Sequence, residues 1–265
     1  MPPTFYDTHA HLDFPEFAAD VPEVVARAEA AGIVKIISIG TDLAGSARAI
    51  ALAERYPGVF AAVGCHPNHA HEAAADIRPA LRELARHPKV VAIGEAGLDY
   101  HRPSIEPAQL TDYKSRQAEI FRQQLEVAGE FGLNCIIHQR DSFHDLVEQF
   151  RPFAGKVRGV FHCFSESIAR LEQVLSLGSM VSFTGIITFK NGGNARTALA
   201  ATPMNRFMLE TDSPFLAPVP WRGKRCEPTH VKEIALTAAA VKQCSLDELS
   251  AATAANAAGF FPKLL

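Results

Sequence analysis

His9 and His11, one residue apart in Asp7-Thr8-His9-Ala10-His11, are the first residues whose spacing suggests chemistry. They close a short aromatic and β-branched run, Phe5–His9, that reads as a strand. Side chains two apart on a strand share a face, so the two imidazoles converge on one point, a donor pair suited to a divalent ion such as Zn²⁺. Four more metal-capable residues fall at the ends of similar runs. Glu95 lies in Gly94-Glu95-Ala96-Gly97-Leu98-Asp99, His138 in Ile136-Ile137-His138-Gln139-Arg140-Asp141, His162 in Val160-Phe161-His162-Cys163-Phe164, and Asp212 in Leu209-Glu210-Thr211-Asp212-Ser213-Pro214. Taken singly, each has an ordinary reading as a turn cap, a buried histidine or a helix N-cap. Four histidines and two carboxylates together exceed what one catalytic zinc holds beside water, so two ions sharing a ligand are expected. Two divalent charges, less two carboxylates and a bridging hydroxide, leave one net positive charge. That balance suits an anionic phosphate ester, although the same site polarises a carbonyl.

For these residues to meet, the strands bearing them must share one end. Short apolar runs recur near Phe5–His9, Lys35–Ile39, Val59–Gly64, Val90–Gly94, Asn134–His138, Arg158–His162, Ser179–Thr184 and Arg206–Glu210. Helical spacing separates most of them: Val21, Val24, Val25 and Ala28 fall on one face, as do Leu246, Leu249, Thr253, Asn256 and Phe260. Eight strands alternating with helices predict an α/β fold, a (β/α)8 TIM barrel spanning 1–265 as one domain, with a doubly wound open sheet as the alternative. Two connections, 98–107 and 211–228, are expected as long loops leaving the strand ends where barrel enzymes place their chemistry. The second holds four prolines, at 214, 218, 220 and 228, which forbid regular structure.

Composition excludes several other classes. Of 265 residues, 48% are hydrophobic and 21% charged, which is inconsistent with a disordered or fibrous chain. A formal net charge of −3 argues against coating nucleic acid by bulk electrostatics, while leaving room for an enzyme that grips a strand end. No apolar run is long enough to span a membrane, and no export signal is read at Met1-Pro2-Pro3-Thr4. Five cysteines without a CxxC pattern fit a reducing compartment, so a cytoplasmic protein is expected.

The chain resembles the TatD family of metal-dependent hydrolases, within the amidohydrolase-like barrels. The likeness runs nearly end to end through the segments at 7–13, 64–67, 94–99, 138–141, 162–165, 182–185, 209–214 and 222–225. It implies a TIM barrel, hydrolysis with Mg²⁺ or Mn²⁺, and deoxyribonuclease activity with a 3′ to 5′ exonuclease sense. It also implies that His9, His11, Glu95, His138, His162 and Asp212 hold the metals. Where the family usually carries Asn after the Arg-Gly-Lys-Arg run, this chain has Cys226, read as structural.

The resulting expectation is a cytoplasmic hydrolase of phosphodiesters acting on single-stranded DNA ends, with two divalent ions per chain and no stable protein partner. Asp212 is the expected general base and Glu95 the residue that holds one or both metals. Four imidazoles favour Zn²⁺; the resemblance favours Mg²⁺ or Mn²⁺. The alternatives are a hydrolase of an amide or aminoacyl ester, and a barrel whose metals only stabilise a binding module. Expected substrate contacts are His66, which otherwise caps a turn, and Arg140, which clamps a phosphate or else pairs with Asp141 or Glu95. Trp221, Arg222 and Lys224 are read as a base-stacking and phosphate-holding rim; the alternative packs Trp221 on the barrel and pairs Arg222 with a carboxylate such as Glu227. His69, His71, His87, His101, His144 and His230 are read as surface histidines, Cys163 as facing the helices, and Asn256 as needing a buried partner.

Overall fold

A computed structural model of the chain describes residues 3–101, 106 and 109–264. Eight strands run parallel in sequential order: β1 Phe5–Ala10, β2 Ile33–Ile39, β3 Val59–Val63, β4 Val90–Asp99, β5 Asn134–Arg140, β6 Gly159–Phe161, β7 Met180–Phe183 and β8 Phe207–Leu209. Each is followed by a helix: α1 Val21–Ala30, α2 Leu43–Arg55, α3 Arg78–Ala85, α4 Leu110–Phe131, α5 Phe143–Phe150, α6 Ile168–Ser176, α7 Gly193–Ala201 and α8 Val231–Lys242, with α9 Leu246–Phe260 closing the chain. The barrel closes between β1 and the segment after β8. There Ala10 bridges Ser213, the Asp212 amide donates to the His9 carbonyl at 2.9 Å, and the His11 amide donates to the Ser213 carbonyl at 2.8 Å.

Alternation along the strands divides the apolar residues into two cores. Ile37, Ile39, Phe60, Ile136, Val160, Met180 and Met208 form the inner one, joined by Phe260, Phe261 and Leu264 of the C-terminus. The larger core lies between strands and helices; Val24 and Ala28 of α1 reach it, as the spacing predicts. The end of α9 caps the barrel floor, since Arg158, at the entry to β6, donates to the Gly259 carbonyl at 3.3 Å. Asn256 finds its partners at the Met204 and Phe207 carbonyls, 2.8 and 2.7 Å away, and ties α9 to the entry of β8. The opposite, C-terminal rim of the barrel is left for chemistry.

One boundary differs from the sequence expectation. Strand β4 continues through Leu98 to Asp99, so Glu95 sits inside the strand instead of following it. Two glycines, Gly94 at the end of the expected run and Gly97 beyond it, make this possible. Gly94 and Gly97 have φ of 148° and 153°, and a Cβ on Gly97 would lie 2.0 Å from the His138 carbonyl oxygen. Only glycine lets β4 lie that close to β5. The rest of the expected 98–107 connection falls largely outside the described residues.

Candidate metal centre

All six expected ligands meet at the C-terminal rim. Glu95 is at their centre, buried to 3% exposure. Its Oε2 faces one group, 3.4 Å from His9 Nε2 and 3.8 Å from His11 Nε2. Asp212 Oδ1 completes that group at 3.3 Å from His11 Nε2 and 3.6 Å from His9 Nε2. Glu95 Oε1 faces a second group, 2.8 Å from both His138 Nδ1 and His162 Nε2. One carboxylate therefore presents an oxygen to each of two donor clusters.

The donor spacing fits divalent ions. His9 Nε2 and His11 Nε2 are 3.3 Å apart, and His138 Nδ1 and His162 Nε2 are 3.2 Å apart. Two nitrogens each about 2.0–2.1 Å from a tetrahedral ion would stand about 3.3–3.4 Å apart. Nitrogens converging this way, beside buried carboxylates, could hold a metal ion.

Surrounding groups orient most of these side chains. His138 Nε2 donates to Asp99 Oδ2 at 3.0 Å, which leaves the Nδ1 lone pair for the centre. His11 Nδ1 donates to the Ile39 carbonyl at 3.3 Å with the same effect. His162 stacks on His9 with ring centroids 4.2 Å apart, and its far nitrogen faces Glu210 Oε1 at 3.6 Å. Asp7, fully buried, accepts from the Thr211 hydroxyl at 2.6 Å and the Thr211 amide at 2.9 Å, holding β1 against the segment that carries Asp212. Burial pushes the Asp7 carboxyl up to about 8 despite those bonds. Asp212 itself adopts φ 57°, a left-handed conformation that persists because its neighbours over-determine it: its amide binds the His9 carbonyl, and its carbonyl accepts from the Phe215 amide at 2.9 Å.

Electrostatics follow from this crowding. Burial works against charge on Glu95, but the surrounding histidines, His162 foremost, hold its carboxyl well below the usual range. Burial likewise opposes a charged His162, yet Glu95 and Glu210 raise it well above an ordinary imidazole. His66 differs: burial lowers it to about 3, so it is neutral. Its Nδ1 accepts from the Asn68 amide at 3.1 Å, capping the turn at Pro67–His69, and its Nε2 lies 3.5 Å from Glu95 Oε1. His66 therefore caps the turn and at the same time lines the cavity beside Glu95.

The centre opens into a cavity of about 380 Å³ bordered by Phe14, Thr41, His66, Asn68, Arg140 and Phe215. Arg140 is at its edge, and neither expected ion pair forms: among the described residues, Asp141 pairs with His101 at 2.7 Å. Trp221, Arg222 and Lys224 are not part of this lining. Trp221 stacks on His230 at 5.3 Å and 16°, Arg222 lies 3.9 Å over the Phe189 ring and donates to the Ala217 carbonyl, and Lys224 covers the Trp221 ring at 5.1 Å. This matches the packing alternative for Trp221. Glu227 is taken by Arg27 and Arg225, not by Arg222.

Other expectations need correction. His230 is buried beneath Trp221, and His69 lines the cavity, so neither is a plain surface histidine. Cys163 has φ 52°, which breaks strand alternation and brings its Sγ to 3.5 Å from the Thr184 hydroxyl. Sequence reasoning passed over Asp99, Glu210, Phe14 and Phe215. Asp99 was within reach of it, because four residues along a strand from Glu95 is the same face.

Comparison with known proteins agrees with the geometry. Residues 6–262 match the family model for TatD-related DNases. The chain is 37% identical over 257 residues to an uncharacterized metal-dependent hydrolase, YabD, of Bacillus subtilis, covering 97% of this chain and 98% of that protein. It is 34% identical over 263 residues to the 3′-5′ ssDNA/RNA exonuclease TatD of Erwinia amylovora, covering 97% and 99%. The crystal structure of YjjV, a TatD homologue from Escherichia coli, superposes with a TM-score of 0.90 at 30% identity, covering 97% of this chain and 98% of that one. The chain belongs to the TatD-related DNase family.

Proposed function

We propose that the protein is a divalent-metal-dependent phosphodiesterase that removes nucleotides from the 3′ end of single-stranded DNA. The observation that carries this reading is the Glu95 carboxylate shared between two donor clusters that open on one cavity. His9, His11, Asp212 and Glu95 Oε2 would hold one ion, and His138, His162 and Glu95 Oε1 the other. Bound there, the ions supply Lewis-acid polarisation of a phosphoryl oxygen and a water activated near neutral pH.

The remaining work belongs to the chain. Asp212 orients the attacking water and takes its proton at a carboxylate oxygen. Neutral His66 donates from Nε2 toward a phosphate oxygen beside Glu95. Arg140, without an ion pair among the described residues, is available to hold a phosphate bidentately at the rim. The TatD exonuclease name of the Erwinia relative supports the choice of nucleic acid. Cytoplasmic residence is part of the proposal: all five cysteines are free, and no helix among the described residues is long and apolar enough to cross a membrane.

A panel of 3′-labelled and 5′-labelled single strands, an amide and an aminoacyl ester, each assayed with Mg²⁺, Mn²⁺ or Zn²⁺ and with a chelator, tests this. Mononucleotide release from the 3′ end, abolished by the chelator, is expected. Turnover confined to the amide or ester would overturn the phosphodiester assignment.

A further inference from the structure

The cavity mouth is chemically lopsided in a way that the metal cluster does not explain. Beside β1 and β8 its wall is aromatic. Phe14 follows β1 and lies against His11, ring centroids 4.5 Å apart at 25°. Phe215 is three residues beyond Asp212, lines the same cavity and is 47% exposed. The two rings meet at 6.0 Å and 80°, forming a corner. Across the mouth the lining is polar: His66, Asn68 and His69 follow β3, and Arg140 is on β5. In a barrel of sequential strands, β1 and β8 are neighbours and β4 and β5 lie diametrically opposite.

Phe215 is also held in place. Pro214 and Pro218 stiffen its loop, and its amide donates to the Asp212 carbonyl. A large apolar ring held exposed at the edge of a charged site is suited to a flat apolar ligand face. A nucleotide at the end of a strand is likewise apolar on its base and anionic on its phosphate.

We propose that Phe14 and Phe215 form the platform for the 3′-terminal base. This inference rests on the nuclease reading above and adds an orientation to it. The terminal base lies in the aromatic corner beside His11 and Asp212, the scissile phosphate sits over the cluster, and the remaining strand leaves past Arg140. Stacking on an aromatic face is indifferent to base identity, so the site takes any terminal nucleotide. It moves the base contact from Trp221, which is occupied by His230, to Phe215.

The test is steady-state release of the 3′-terminal residue from two strands, identical except that one ends in an abasic nucleotide. For the native protein, KM for the abasic strand should be about 5- to 150-fold higher, the range that loss of one base–aromatic stack gives. Phe215→Ala should close that gap by raising KM on the base-bearing strand, with kcat little affected, and Phe215→Trp should reopen it. Equal KM for the two strands in the native protein would overturn the platform, as would a Phe215→Ala rise of the same size on both. Release from neither strand would overturn the nuclease reading itself, and the platform with it.

Discussion

Replacing Asp99 with asparagine should damage the metal centre more than replacing it with alanine. Asp99 is 3% exposed and uses its two oxygens differently. Oδ1 accepts from the His101 amide at 2.8 Å, and Oδ2 accepts from His138 Nε2 at 3.0 Å. Asparagine can keep the first bond only by turning its amide nitrogen toward His138. Nε2 must then accept, so the ring proton moves to Nδ1, the atom that faces Glu95 and His162. His138 then has no lone pair for the cluster. The reverse orientation of the amide sets a donor against the His101 amide instead. Leaving one such buried group unmatched costs about 1–3 kcal/mol. That corresponds to about 5- to 150-fold in occupancy of the ion that His138 holds, the same order as is usual for groups that orient a metal ligand. Alanine removes the orienting bond but leaves His138 free to choose its tautomer. Competition with a chromophoric chelator measures the affinities, and thermal unfolding checks that both variants fold. Equal affinity in the native protein and Asp99→Asn, or a larger loss in Asp99→Ala, would refute the tautomer argument.

Two further outcomes follow from the geometry. Asp212→Asn should fold normally and lose about 10²–10⁴-fold in kcat, the usual worth of a general base; near-native turnover would remove Asp212 from proton transfer. Asp20 accepts from both terminal nitrogens of Arg225 and from Arg27, tying α1 to the loop after β8, and these bonds lower its carboxyl to about 2. A depressed carboxyl stabilises the fold above its unfolded value and loses that contribution as pH falls, so the loss should span roughly pH 4 to pH 2. Melting temperatures of Asp20→Asn should therefore fall less steeply than native across that window; parallel curves would show the network to be without effect.

Residues whose role depends on their own strand were legible from the sequence. His9 and His11 share a face because they are two apart, and His138 and His162 end apolar runs that chain order places in one ring. Glu95 was legible as a donor but not as part of a strand, because the apolar run ends at Gly94 and the glycines at 94 and 97 gain a purpose only from the approach of β5. Roles set by distant neighbours were not legible. Asp99 matters through His138, Glu210 through His162, and Trp221 lost its open face to His230, nine residues along the chain and across a proline-rich loop. Cys163 shows the limit of alternation, which fails wherever one residue turns left-handed.

In the proposed centre, two ions joined through Glu95 are needed for turnover. The most direct test is to strip the protein with a chelator and restore Mn²⁺ in measured steps. Bound metal per chain and the rate of nucleotide release from a 3′-labelled single strand are then followed in the same samples. Activity should reach its maximum only as the second ion fills, and Glu95→Ala should retain at most one. Full activity at one ion per chain, or turnover in the stripped protein, would contradict the shared-carboxylate centre.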